Sequence, residues 1–226
     1  MSDPALRPLT AADLGWVVEL TRRRREALEP HAPRFWRSAP DATARHRAFL
    51  AELIDDPGIL GVRTGHGYLI ALDRGEHVLV DDMVVTPEVH WPTEGLALLR
   101  HVQERYPALR LVVPAFEVAR LDAAYAAGLA PVETWWHRDL EPVAAGADVG
   151  DEIEVPGARG RLVSAPPVYD PGGSVLRVTE VDSPEALVRI ERAAAARGAG
   201  VSVVSWPPGA EPLDAQGYTL TTYFFS

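Results

Sequence analysis

Apolar residues recur along this chain at two different periods, and the switches between them predict its elements. After a short apolar stretch at residues 5–10, Thr10 and Asp13 stand three apart, ahead of Leu14, Val17, Val18 and Leu20. That capping-box spacing starts a helix, which ends near Glu29 and Pro30. A second helix is predicted over 43–54, with Phe49, Leu50, Leu53 and Ile54 on its apolar side and Asp56-Pro57-Gly58 as its stop. Alternation then takes over. Residues 59–63 and 68–72 are short apolar runs around Thr64-Gly65-His66-Gly67, a hairpin, and residues 77–86 (HVLVDDMVVT) form a longer strand closed by Pro87. Helical spacing returns over 93–105, followed by a strand at 109–113, a helix at 121–127 ended by Gly128, and a strand at 131–140. The order is β-α-α-β-β-β-α-β-α-β, an antiparallel meander followed by βαβ units, which makes the fold class α/β (α+β).

Residues 141–160 hold four glycines and two prolines with almost no periodic apolar pattern, and read as a linker. The remainder repeats an earlier theme. A strand at 175–181 meets Ser183-Pro184, a helix start. The helix carries Leu187, Val188, Ile190 and Ala194; strands follow at 201–206 and from Gly217 to the end. This order echoes residues 78–137, and GLAPVETWW from Gly128 stands beside GYTLTTYFF from Gly217 as a half-repeat. The expected division is a first domain at 1–140, a linker at 141–160 and a smaller C-terminal αβ half-domain at 161–226. Without a meander of its own, the half-domain is expected to pack on the first domain or on another subunit, as in a homodimer.

Composition narrows the chemistry. A chain of 226 residues, 47% hydrophobic and 24% charged, can bury a substantial core and does not resemble a disordered segment. No apolar run reaches the roughly eighteen residues of a membrane span, and MSDPALRPLT has no secretory pattern. Cysteine is absent, which excludes disulfides, thiolate metal sites and cysteine nucleophiles; the cytoplasm is the expected location. The net charge of −10 repels phosphate backbones and anionic lipid. Nucleic acid and membrane are therefore disfavoured as partners, and amines favoured. Every basic residue is an arginine, and Arg22 to Arg25 read as a solvated helix neighboured by Glu19, Glu26 and Glu29. The seven histidines show no His-x-x-x-His spacing with a nearby carboxylate, so no metal is expected.

One segment carries a family resemblance. VLVDDMVVTPEVHWPTEGLALLRHV, residues 78–102, follows a strand with a proline and then a loop and helix. It resembles the GNAT superfamily of acyl-CoA-dependent N-acetyltransferases, in which a loop of the form Arg/Gln-x-x-Gly-x-Gly/Ala precedes the helix. Counting from Pro87 puts His90, Thr93 and Gly95 on those positions, with Leu96 opening the helix and Ala97-Leu98-Leu99 on the family's small-Leu-Leu run. The ending HRDL (137–140) resembles the family's closing strand. The resemblance covers about three fifths of the chain and implies a mixed, mostly antiparallel sheet flanked by helices. It also implies acetyl-CoA, or another acyl-CoA, as co-substrate. The loop binds pyrophosphate through helix N–H groups and glycine backbone. Here only Gly95 remains, Pro92 removes a donor and Glu94 adds a negative charge.

Asp81 and Asp82 interrupt an apolar strand. Adjacent residues point to opposite faces, so one carboxylate faces the core, where desolvation raises its pKa toward what a general base for an ammonium needs. The other reading is a bulged strand with both carboxylates solvated or paired to arginines. The resemblance implies that either aspartate is the base, and that the backbone of Met83, Val84 and Val85 receives pantetheine and polarises the thioester. It also implies an acid tyrosine four residues before a Gly-Phe pair; Tyr125 lies three before Gly128, so it is a weaker candidate, and a packing tyrosine is the other reading. His31, Phe35, Trp36 and Trp135 are candidates for the acceptor pocket. Two functions follow as expectations: transfer of an acyl group from acyl-CoA to the amine of a small molecule or peptide, or a GNAT-fold binding module that has lost the chemistry.

Overall fold

The computed structural model describes residues 4–143 and 149–226. In chain order its elements are β1 (Arg7–Pro8), α1 (Leu14–Leu28), α2 (Ala42–Asp55), β2 (Leu60–Arg63), β3 (Gly67–Asp73), β4 (Val78–Val85), α3 (Leu96–Gln103), β5 (Leu109–Pro114), α4 (Val118–Ala126) and β6 (Pro131–Asp139). Then come β7 (Glu152–Val155), β8 (Ala158–Val163), β9 (Ser174–Val181), α5 (Pro184–Ala195), β10 (Ala199–Trp206) and β11 (Thr219–Phe225). Before α1, the buried Asp13 accepts hydrogen bonds from the Thr10 N–H (3.1 Å) and hydroxyl (3.0 Å), which realises the capping-box spacing. No helix among the described residues is long and apolar enough to cross a membrane.

The chain forms two compact units. Unit 1 comprises the chain up to Arg25, Thr43–Val132 and Thr222–Ser226; unit 2 comprises Glu26–Ala42 and Glu133–Thr221. In unit 1, β1 to β4 run antiparallel in sequence order, β4 pairs parallel with β5 across the α3 crossover, and β5 pairs antiparallel with β11. One face of this sheet packs Val80, Met83 and Val85 against Leu98, Leu99, Ala123 and Ala124 of α3 and α4. The other face packs Tyr68, Ile70 and Val84 against Val17, Leu20 and Leu50 of α1 and α2.

Unit 2 repeats the plan. β7 and β8 form an antiparallel meander into β9, α5 crosses to the parallel strand β10, and β10 pairs antiparallel with β6. Its core joins Ile153, Leu162, Leu176 and Val178 to Leu187 and Ile190 of α5. Two sequence expectations are corrected here. The stretch expected as a linker holds β7 and the start of β8, apart from residues 144–148, which lie outside the described residues. The C-terminal half therefore has a meander of its own. The half-repeat is a repeat of topology, with an exchange: β11, last strand of the second half, completes unit 1, and β6, last strand of the first half, completes unit 2.

Phe225 is the deepest residue that this exchange delivers to unit 1, fully buried in the α3/α4 core. Replacing it with alanine is expected to cost about 3–5 kcal/mol of unfolding free energy in urea titrations, although it lies at the far end of the chain from its neighbours.

Candidate active site

β4 and β5 hydrogen-bond only at Val78–Leu109, Leu79–Arg110 and Val80–Leu111. Beyond that point β4 follows β3 as far as Val85, while β5 follows β11 as far as Pro114. The two strands splay, and the facing edges of residues 81–85 and 112–114 lose each other as partners. A β-bulge marks the opening: Leu69 pairs with Met83 and Ala71 with Val80, so Ile70 alone opposes both Asp81 and Asp82. The extra residue explains why Val80 and Met83, three apart, face the same core. Strict alternation cannot do that.

Both aspartates sit among charges. Asp82 Oδ2 lies 3.3 Å from His46 Nε2, and His46 Nδ1 takes a 2.6 Å hydrogen bond from Arg25, which also donates to Thr43 (3.2 Å). With Nδ1 accepting, Nε2 carries the proton and donates to Asp82. Burial works to raise the Asp82 pKa, but the His46 hydrogen bond and the fields of His46, Arg24 and Arg120 outweigh it and hold the carboxyl below its ordinary value. Asp81 is exposed, and the surrounding protein still desolvates its carboxyl in part. Desolvation and the charge of Asp82 push its pKa up against the pull of Arg24 and Arg120.

The group that fills the splay was not singled out from the sequence. Arg120 is wholly buried, and its guanidinium donates to the main-chain carbonyls of Met83 (3.2 Å) and Asp81 (3.2 Å) and to Glu117 (3.1 Å). Arg24 closes the cluster on Glu117 at 2.5 Å and 3.2 Å. Burial, and then the nearby Arg24 charge, bring the Arg120 pKa down to about 10, so it stays cationic. Ala123 and Ala124, one turn on and equally buried, leave the space a guanidinium needs. Even so, its Nε–H has no hydrogen-bond partner. The signal was an arginine sharing an inward helix face with two alanines.

The loop before α3 is also occupied. A five-residue helical turn, Trp91–Gly95, leads into the helix. A Cβ on Gly95 would stand 2.4 Å from the buried Trp91 ring, so the indole packs on the face of Gly95 where a side chain would stand. Glu94 turns inward and accepts from the His66 main-chain N–H (2.8 Å) and from His66 Nδ1 (2.6 Å), with His90 Nδ1 at 3.6 Å. Burial would raise Glu94, but Thr64 and His66 hold its pKa below the ordinary value. Thr93 spends its hydroxyl on the His90 carbonyl (3.3 Å), and Leu96 opens α3 half-buried. His90, Thr93 and Gly95 are therefore not arranged as a phosphate cradle.

The remaining candidates are dispersed. Tyr125 is exposed and rests edge-on against Phe225, centroids 5.2 Å apart, the packing reading. Met83, Val84 and Val85 are buried side chains divided between the two cores of unit 1. His31, Phe35, Trp36 and Trp135 all belong to unit 2, whereas the aspartates belong to unit 1. Phe35 stacks on His137 at 5.2 Å, Trp36 is buried with Leu28 and Ala32, and Trp135 donates to Glu133 at 2.7 Å. His31 is exposed. Unit 2 also holds a cavity of about 180 Å³ at the start of α5, lined by Ser183, Pro184, Leu187, Trp206, Leu213 and Gln216.

Neither a protein-family model nor a curated protein matches the chain. Solved structures do. A protein from Thermoplasma acidophilum proposed to be an acetyltransferase superposes with a TM-score of 0.59 at 11% identity, over 97% of this chain and 98% of that one. A GCN5-related N-acetyltransferase from Sphaerobacter thermophilus superposes with a TM-score of 0.56 at 12% identity, over 99% and 96%. The fold is the GNAT fold. Identity this low carries the architecture alone, and both matches run through unit 2. The resemblance read from residues 78–102 thus holds for the fold. For acyl-CoA the residues do not fit: an indole covers the loop glycine, a carboxylate occupies the loop, and a guanidinium occupies the strand edge.

The opposed shifts of the two aspartates predict opposed stabilities. The folded pKa of Asp81 is raised, so ionising it costs stability as pH climbs from about 3.9 through the folded value; Asp81→Asn should melt higher than wild type at about pH 7 and alike at about pH 3. The folded pKa of Asp82 is lowered, so its contribution is present above about pH 3.9 and lost as pH falls through the folded value; Asp82→Asn should melt lower at about pH 7. Thermal melts of both variants across this range read the two signs.

Proposed function

We propose that this chain uses the GNAT fold as a binding module and does not carry acyl transfer at the splay of unit 1. The observation behind this reading is the buried Arg120 guanidinium, hydrogen-bonded to the carbonyls of Asp81 and Met83. These are the backbone positions where the resemblance places the thioester and the start of pantetheine. A thioester entering there has to displace a cation that makes three hydrogen bonds and has no exposed surface to retreat to. The diphosphate end of an acyl-CoA meets a second obstacle, because Glu94 repels its charge and the Trp91 indole packs on Gly95.

The second reading is an N-acyltransferase acting on the amine of a small molecule or peptide. One observation favours it: Asp81 is reached by solvent, lies beside the splay and has a raised pKa, the properties of a base that takes a proton from an ammonium.

A thermal-shift titration with acetyl-CoA up to about 1 mM, paired with an assay for free thiol over a panel of amines, separates the two. The binding-module reading expects no rise in melting temperature and no amine-dependent thiol release. A saturable rise together with release that Asp81→Asn abolishes would overturn it in favour of the transferase.

A further inference from the structure

We propose that His66, His90 and Glu94 form a site for one divalent transition-metal ion of the zinc class, with a coordination position left open to solvent. No metal is expected from the sequence, because His66 comes from the turn between β2 and β3 while His90 precedes, and Glu94 lies within, the helical turn before α3. Only the four-residue spacing of His90 and Glu94 was visible. Folding brings one donor atom from each of the three within 4.8 Å of the others. His66 Nδ1 is 2.6 Å and His90 Nδ1 3.6 Å from the same oxygen, Glu94 Oε1. With one of the two stacked imidazoles turned outward, all three donors come within reach of the roughly 2.0–2.2 Å that zinc requires of imidazole and carboxylate ligands.

The carboxylate is held in place before any ion arrives. The rings of His66 and His90 stack with centroids 3.6 Å apart and planes 7° from parallel, with both Nδ1 atoms beside the carboxylate, and the half-exposed His66 ring has room to turn out of the stack so that both lone pairs point at one ion. Glu94 is nearly buried, and its second oxygen is fixed by the His66 main-chain N–H at 2.8 Å. Such outer hydrogen bonds orient a ligand carboxylate. Both histidines retain exposed surface, so the ion has an entry path, and three protein ligands leave a fourth position for water or an anion. Two imidazole nitrogens with one carboxylate select zinc, cobalt, nickel or copper over magnesium and calcium, which prefer oxygen throughout. The ion would also neutralise Glu94 and join the β2–β3 turn to the start of α3.

This inference stands whether or not the splay accepts a thioester, because it is read with no acyl-CoA present. The test is calorimetric titration of the tag-free full chain, stripped with chelator, using zinc chloride, alongside thermal melts with zinc and with magnesium. The expected result is one zinc per chain and a higher melting temperature with zinc but not with magnesium. His66→Ala and His90→Ala should each weaken binding at least about tenfold, while His77→Ala binds as wild type. Should a histidine variant fail to fold, Glu94→Gln keeps the side-chain size and an acceptor for the His66 N–H, and carries the same expected loss. No zinc uptake by the wild type, or uptake undiminished in the His66→Ala/His90→Ala double variant, would overturn the proposal.

Discussion

A guanidinium shut away from water has to be given acceptors, and in unit 1 those acceptors are the main chain of β4 at the point where two strands part. Everything near the splay is arranged around that requirement. The bulge at Asp81 and Asp82 leaves the carbonyls of residues 81 and 83 unclaimed by β5, and Arg120 takes both. Glu117 supplies the balancing charge and is itself held by Arg24. Removing one member of such a group exposes the others to the full cost of an unpaired buried charge, so the cluster stands or falls together. The cations pull on both aspartates, and what sets the two apart is His46: Asp82, bonded to it, is held below its ordinary pKa, while Asp81, desolvated beside the Asp82 charge, is pushed toward its neutral form. The pair thus divides one site into two environments, as interacting carboxyls commonly do.

The chain has the GNAT architecture at an identity of 11–12% to the solved structures it matches. What differs is the filling. At the loop before α3 a carboxylate and two imidazoles stand where the resemblance calls for glycines and a cation, and at the strand edge an arginine stands where a thioester would lie. On the proposed reading, both features place protein groups where an acyl-CoA would otherwise lie. Fold and activity are separable in this way because the sheet needs only its cores, whereas ligand binding needs backbone left bare.

Much of the architecture was legible because it rests on periodicity. The helices at 14–28 and 184–195, and the strands at 78–85 and 199–206, appear close to where their apolar spacing puts them. The meander of unit 2 was not legible, since β8 buries Ala158, Gly160 and Leu162 at alternate positions and two of those three residues add almost nothing to a hydrophobic pattern. The exchange of β6 and β11 was hidden for a different reason: which strand pairs with which is a long-range matter that local spacing does not encode. At the candidate site, the doubled aspartate signalled a bulge, while Arg120 looked like any polar residue on a half-exposed helix and His66 lay too far along the chain to be joined to His90.

The claim that decides the rest is that Arg120 occupies the opening between β4 and β5, and a crystal structure of the chain grown with excess acetyl-CoA addresses it directly. The guanidinium is expected within hydrogen-bonding distance of the Asp81 and Met83 carbonyls, with no pantetheine density between the strands. Pantetheine lying along residues 81–85, with Arg120 turned away, would contradict it.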